Sequence, residues 1–295
     1  MSRRLGCTFL LLCSIACGGG NGERCASDDD CGSHFCRADG TCGTAEGDAG
    51  DADAPADMGM GLCNANHDGM IVLAELPVAA GKMGTFRVAT NVTWNTAGTS
   101  MSNGSRKWDL GLQLAGDADR MVALGSASGT WWQASFPDAT YATELVSTSD
   151  LQGVFEATGN ALALDGVVSP QAGVYRTELA YDPPAQILAL PLMAGSAWSS
   201  TSTVSGTAQG VIVAYTEKYE SRVDQVGTMK TPYGEFPVLR VSTLLTRTAG
   251  FSTLLTKRTF TWLAECFGPI ATVQSKDFES GAEFADDAEV RRLAP

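Results

Sequence analysis

Histidine is almost missing from this chain. Only His34 and His67 occur among 295 residues, so everything from Asp68 to Pro295 is free of it. A Ser-His-Asp or Cys-His arrangement is thereby excluded from that stretch, and so is zinc or iron held by histidine. Basic residues are scarce too: 20 Lys and Arg stand against 33 Asp and Glu, a formal charge of -13. A surface of that sign opposes nucleic-acid binding, which needs basic patches to displace counterions from phosphate, and it opposes electrostatic attachment to anionic lipid. The sequence contains no Gly-rich phosphate loop ending in Lys-Ser/Thr and no dinucleotide fingerprint after a strand. Gly125-Ser126-Ala127-Ser128-Gly129 has the outline of a nucleophile elbow, but Ala127 stands where the serine belongs. Helical periodicity is short as well, and beyond Leu76 only Asp138 to Val146 offers it.

What the longer part of the chain does contain is β-forming text. Gly84 to Trp94, Lys107 to Leu114, Val174 to Tyr181, Val211 to Val226, Phe236 to Thr246 and Thr259 to Cys266 are rich in Val, Thr, Tyr, Phe and Trp and predict strands. From Tyr215 onward the residues alternate. Tyr215, Glu217, Tyr219, Ser221 and Val223 share one face, and Thr216, Lys218, Glu220, Arg222 and Asp224 the other, as an antiparallel strand with one wet side requires. Turn signals fall at Ser102-Asn103-Gly104, Ala157-Thr158-Gly159-Asn160, Ser169-Pro170, Asp182-Pro183-Pro184, Thr231-Pro232-Tyr233-Gly234 and Thr248-Ala249-Gly250. With 44% hydrophobic and 18% charged residues the chain can bury a sizeable core. Residues 63–295 therefore read as one all-β domain, an antiparallel sandwich or a curled open barrel. Pro191 with Gly195-Ser196-Ala197-Trp198, Thr231 to Phe236 leading into Leu239-Arg240-Val241, and Phe267-Gly268-Pro269-Ile270 resemble secreted bacterial β domains that form open barrels or half-barrels. Some of those hold apolar ligands.

The start of the chain has a different character. Arg3 and Arg4 precede an apolar run, Leu5 to Ile15, of signal-peptide length and too short to span a bilayer, so 1–16 reads as a signal peptide. It ends in Ser14-Ile15-Ala16-Cys17, which resembles a bacterial lipobox with Ser14 in place of the usual Leu. The resemblance implies that Cys17 becomes diacylated and N-terminal, and Gly18, rather than Asp, implies passage to the outer membrane or cell surface. An ordinary secretory signal, giving a periplasmic or secreted protein, is the alternative. Residues 17–24, with Gly18-Gly19-Gly20-Asn21-Gly22, then form the lipidated start and a flexible spacer.

Cys25, Cys31, Cys36 and Cys42 crowd into residues 25–42 with Phe35 as almost the only core residue, so two disulfides are needed to order that segment. The spacing resembles the short cysteine-rich module of the Dickkopf N-terminal type. Zinc, with His34 as a further ligand, is the competing reading, opposed by the exported context and the lack of a close Cys-x-x-Cys pair. Residues 43–62 fall to Gly, Ala and acids (Glu46, Asp48, Asp51, Asp53, Asp57) with no Lys or Arg, a composition that cannot offset the entropy of ordering and reads as an acidic, disordered linker. With the other mature cysteines assigned to lipid or to this module, Cys63 and Cys266 remain as a pair, and they are expected to be bonded.

Between linker and β domain lies Cys63-Asn64-Ala65-Asn66-His67-Asp68-Gly69-Met70-Ile71-Val72-Leu73-Ala74-Glu75. Its spacing resembles a calcium-binding EF-hand loop: Asn64, Asn66, Asp68, the Met70 carbonyl and Glu75 at ligand positions, Gly69 at the sharp turn, Ile71 packing inward. It departs from that family at Asn64, normally Asp, and at Val72, and Pro77 stops any following helix. With two formal charges among the ligands, calcium affinity falls on the order of 10⁻⁴ to 10⁻³ M. An Asx-rich turn leading into the first strand is the alternative.

These features describe a non-catalytic lipoprotein of the bacterial envelope, a binding or structural module held to the membrane by acyl chains at Cys17, with a weak structural calcium site and no nucleic-acid partner. Two alternatives stand beside it: a carrier of an apolar ligand in a β-barrel cavity, and a glycan-binding or glycan-active domain. The last would use Trp131-Trp132 and a pair drawn from carboxylates such as Glu144, Glu178, Glu217 and Glu265, although their spacing selects no two of them.

Overall fold

The computed structural model describes Cys63 and residues 65–295. Among the described residues there are sixteen strands: β1 (Met70–Ile71), β2 (Met83–Thr93), β3 (Thr99–Ser100), β4 (Arg106–Asp109), β5 (Ala118–Ala123), β6 (Tyr141–Glu144), β7 (Gln152–Thr158), β8 (Ala161–Val168), β9 (Glu178–Ala189), β10 (Leu192–Met193), β11 (Ala197–Ala208), β12 (Val211–Lys230), β13 (Glu235–Ala249), β14 (Ser252–Ala264), β15 (Gly268–Ser275) and β16 (Asp286–Leu293). Two 3-10 turns, Leu73–Glu75 and Gln133–Ser135, are the only helical residues among those described. The all-β expectation holds, and of its two forms the curled barrel is the one observed.

Twelve strands follow one another in the order β5-β2-β16-β15-β14-β13-β12-β11-β9-β8-β7-β6. The two ends of that ribbon meet. Gly125, just past β5, and Ala142 of β6 exchange a pair of backbone hydrogen bonds of 2.7 and 2.9 Å. Side chains add to this seam: Arg291 of β16 reaches Glu144 of β6 at 3.1 Å, and Glu289 accepts hydrogen bonds from the Ser147 amide and hydroxyl at 2.8 and 2.6 Å. The ribbon is thus nearly closed into a barrel-like sheet, which leaves few unpaired edges.

Alternation explains where the cores sit. On β12, Glu217, Ser221 and Val223 are buried while Lys218, Glu220 and Arg222 on the other face are exposed, as the sequence pattern predicts. On β13 and β14 both faces are covered near the Cys266 end. Leu239, Val241 and Leu263 enter one cluster with Ile71, Leu164, Tyr181 and Val204; Phe236, Val238, Phe260 and Trp262 enter a second with Trp108, Ile270 and Val290. Trp108 of β4 and Leu110 just after it complete the second cluster. β4 runs parallel to β12 along Gly227–Lys230, and at Gly227 the strands approach so closely that a Cβ would collide with the Arg106 carbonyl. A third, smaller cluster packs Trp132 and Phe136 over Val154 and Val168.

Four local expectations need correction, the first being that of Val174 to Tyr181 only the part from Glu178 is strand. Asp138 to Val146 forms β6 and not a helix, because Tyr141 and Ala142 are drawn into the cores of a sheet that overrides local periodicity. Asp182-Pro183-Pro184 lies inside β9 and not at a turn. The β8–β9 register shifts there and pairing with β11 ends at Asp182, so the missing proline amides fall in a gap of the ladder. Of Lys107 to Leu114, only the part up to Asp109 is strand.

Candidate functional site

The opening loop is fastened to the barrel at several points. Cys63 is disulfide-bonded to Cys266, the Cys266 amide donates to the Glu75 carbonyl at 2.9 Å, and the His67 amide donates to Glu265 Oε2 at 2.9 Å. β1 pairs with β10 through Met70–Met193 and Ile71–Leu192, which sends Ile71 into the barrel core. Within the loop, Asn66 Oδ1 accepts the Asp68 amide at 3.0 Å, Asn66 Nδ2 donates to Asp68 Oδ2 at 3.2 Å, and Asp68 Oδ1 accepts the Met70 amide at 2.8 Å. Gly69 takes a φ of 80°, the left-handed turn that glycine permits at little cost. Glu75 is 6% exposed and its Oε2 accepts the Val72 amide at 3.0 Å.

Of the sequence-predicted ligands, then, Asn66 and Asp68 form one hydrogen-bonded turn, Met70 lies in a strand pair, and Glu75 closes the following 3-10 turn. Asn64 lies outside the described residues, as do Cys17, Cys25, Cys31, Cys36 and Cys42. Among the described residues no three His, Cys, Asp or Glu side chains converge as a metal-holding group. Each loop carboxylate gives one oxygen to a backbone amide, Asp68 Oδ1 to Met70 and Glu75 Oε2 to Val72.

Beside the loop is a groove of about 310 Å³, walled by Ile71, Ala194, Val226, Pro237, Leu239 and Leu263, with His67 and Glu265 as its polar lining. Comparison with known protein families, with curated proteins and with solved structures returned no match. The reading of the site therefore rests on its chemistry alone.

The structure assembles two further polar centres whose partners the sequence did not bring together. On the inward face of β12, Glu217 is 1% exposed and accepts from Tyr181 and Tyr219 hydroxyls at 3.0 and 2.6 Å and from Arg247 Nε at 2.8 Å. Arg247 also lies 4.5 Å above the Tyr215 ring. Burial, reinforced by the Glu217 charge, pushes the Tyr181 hydroxyl well up, and Tyr219 rises mainly through burial. Both stay protonated donors. The available signal was a glutamate on an otherwise aromatic face. The second centre is Arg240, whose side chain is 1% exposed between Phe260 and Trp108. It donates to both Asp224 oxygens at 2.9 and 2.8 Å, to both Glu283 oxygens at 3.1 and 2.6 Å, and to the Thr96 carbonyl at 2.7 Å.

Asp287, with no exposure, has its pKa raised to about 7 by burial, and Asp165 rises to about 7 through burial and the nearby Glu156 and Asp138 charges. Of the tryptophans considered for a glycan platform, Trp132 is 1% exposed and Trp131 is half-buried, its indole N–H donating to the Ser169 carbonyl at 3.1 Å.

Proposed function

We propose that this protein is a non-catalytic module of a bacterial envelope, tethered by acyl chains at Cys17 and presenting its β domain as a binding or structural unit. The observation that carries the non-catalytic part is the state of the buried charges at the two polar centres; the two carboxyls raised to about 7, Asp165 and Asp287, lie outside the groove beside the loop. Glu217, Asp224 and Arg240 spend their hydrogen-bonding capacity on one another and on tyrosine, arginine and backbone groups. A general acid or base needs a lone pair or proton free for substrate, and these groups are engaged in holding strands together. The anchor rests on Arg3, Arg4, the Leu5 to Ile15 run and Ser14-Ile15-Ala16-Cys17. Labelled fatty acid fed to expressing cells is expected to enter the wild-type chain and not Cys17→Ser; equal labelling of both, or of neither, sinks the anchor.

Weak calcium binding by the opening loop belongs to the same proposal, with the ion fixing the first strand rather than signalling. At a dissociation constant near 1 mM, about 10 mM calcium stabilises the folded state by roughly 1.4 kcal/mol, and the thermal midpoint rises by a few degrees. The Asp68→Ala, Glu75→Ala variant is expected to lose that rise; an equal rise in both proteins places the ion elsewhere.

The groove beside the loop supports a second reading, in which its aliphatic walls hold a small apolar ligand. Native mass spectrometry of gently purified protein checks it, and consistently empty protein counts against it.

A further inference from the structure

Three connections stand side by side at one end of the sheet: the β8–β9 loop, the β11–β12 turn and the β13–β14 turn, whose strands are consecutive in the ribbon. Their tips carry Val174 and Tyr175, Val211 and Ile212, and Phe251 with Leu254, all exposed; Ile212 is 88% exposed, Tyr175 is 80% exposed, and Phe251 is fully so. The first two tips touch. A Cβ on Gly210 would lie 3.1 Å from the Val174 carbonyl and 3.4 Å from the Tyr175 ring, and the Gln209 amide donates to Thr177 at 3.2 Å. Turn tips of a soluble sheet ordinarily carry polar residues, and apolar side chains grouped on neighbouring tips mark a contact surface.

Charge narrows the choice of partner. In a chain with 33 acids, residues 206–214 and 248–256 contain no charged residue at all, and residues 169–177 contain only Arg176. The acid nearest the tips, Glu178 at the start of β9, is held by Arg176 at 3.4 Å and by the Ser135 hydroxyl at 2.6 Å, and further acids of this end, Asp277, Glu279 and Glu283, lie on the β15–β16 connection. Acid-free, convex tips bearing tyrosine, phenylalanine and branched aliphatics are poorly shaped for the broad complementary patch that a stable protein interface buries, but they suit a bilayer, which deforms around each tip and accepts aromatic rings at headgroup level. We propose that these three tips dip into the surface of a phospholipid membrane, a contact made by the β domain itself and independent of any acyl anchor. The interaction is apolar, so the overall acidity of the chain does not oppose it at this end.

The experiment uses the full chain carrying Cys17→Ser, so that acylation plays no part, with phosphatidylcholine vesicles and with vesicles containing phosphatidylglycerol. The protein is expected to float with both, and the Tyr175→Ser, Ile212→Ser, Phe251→Ser variant, changed only at exposed positions, is expected to lose about tenfold or more in partitioning. Unchanged far-ultraviolet circular dichroism and thermal midpoint establish that the variant is folded. A parent protein that stays unbound, or a variant that floats equally well, overturns the proposal. So does a concentration-dependent dimer in sedimentation that the same variant abolishes, because the tips would then serve a second copy of this chain.

Discussion

Replacing Cys63 and Cys266 with serine is expected to lower the stability of the β domain by up to about 5 kcal/mol. The bond closes a loop of 203 residues in sequence separation, which embraces almost every strand of the barrel. In the chain-entropy account the penalty falls on the unfolded state, which regains the freedom that the crosslink removed. A folded-state effect adds to it. Without the bond the opening loop is held by the His67–Glu265 and Cys266–Glu75 hydrogen bonds and the short β1–β10 pair. Urea unfolding followed by tryptophan fluorescence measures the change. Each single replacement should cost as much as the double one, since either opens the same loop, and midpoints that match wild type would refute the assignment of strength to this bond.

Arg240→Ala should be the most damaging single substitution in the second core, costing about 3–5 kcal/mol. Two effects combine. Asp224 loses both its charge-assisted bonds in a position where its side chain is only 12% exposed, and the space between Phe260 and Trp108 is left unfilled. Lysine should rescue little, because one ammonium cannot bridge two carboxylates in the forked geometry of the guanidinium. The exposed Lys218–Glu220 pair provides the contrast: at 2.8 Å it is as short as the Arg240–Asp224 contacts, yet its removal should cost at most about 1 kcal/mol. Combining Arg240→Ala with Asp224→Asn tests the cause. If the buried charge dominates, the double variant recovers part of the loss; strictly additive losses would assign the cost to packing alone.

These two centres also show what the sequence makes legible. The inward face of β12 was readable because strand alternation has a period of two and the tyrosines announce it. The Cys63–Cys266 bond was readable because its partners stand apart from the cysteines near the start of the chain. Arg240 was not. Alternation says that Arg240 and Val241 face opposite ways, but it does not say that the face of Arg240 lies beneath β4 and the Thr96 carbonyl, far away in sequence. Asp182-Pro183-Pro184 misled for a related reason: proline is excluded from a complete ladder, and only the register of β8 and β11 shows that the ladder has a gap there. In the opening loop, spacing located the residues of a turn, while the direction of each carboxylate depends on amides that only the folded backbone sets in place.

Sheet order and chain order are offset in this barrel. β2 is neighbour to β16, so the β5–β2 pair joins the later strands on that side through residues 286–293, while β4 of the same segment pairs with β12. Until β16 emerges, β2 has β5 as its one ladder partner. The seam at Gly125 and Ala142 is local in sequence and can form early, but the junction opposite it depends on β16, the strand that follows all the others. β16 is the keystone of the ring, and a ribosome that stalls before Asp286 leaves an open ribbon with β2 and β15 as bare edges.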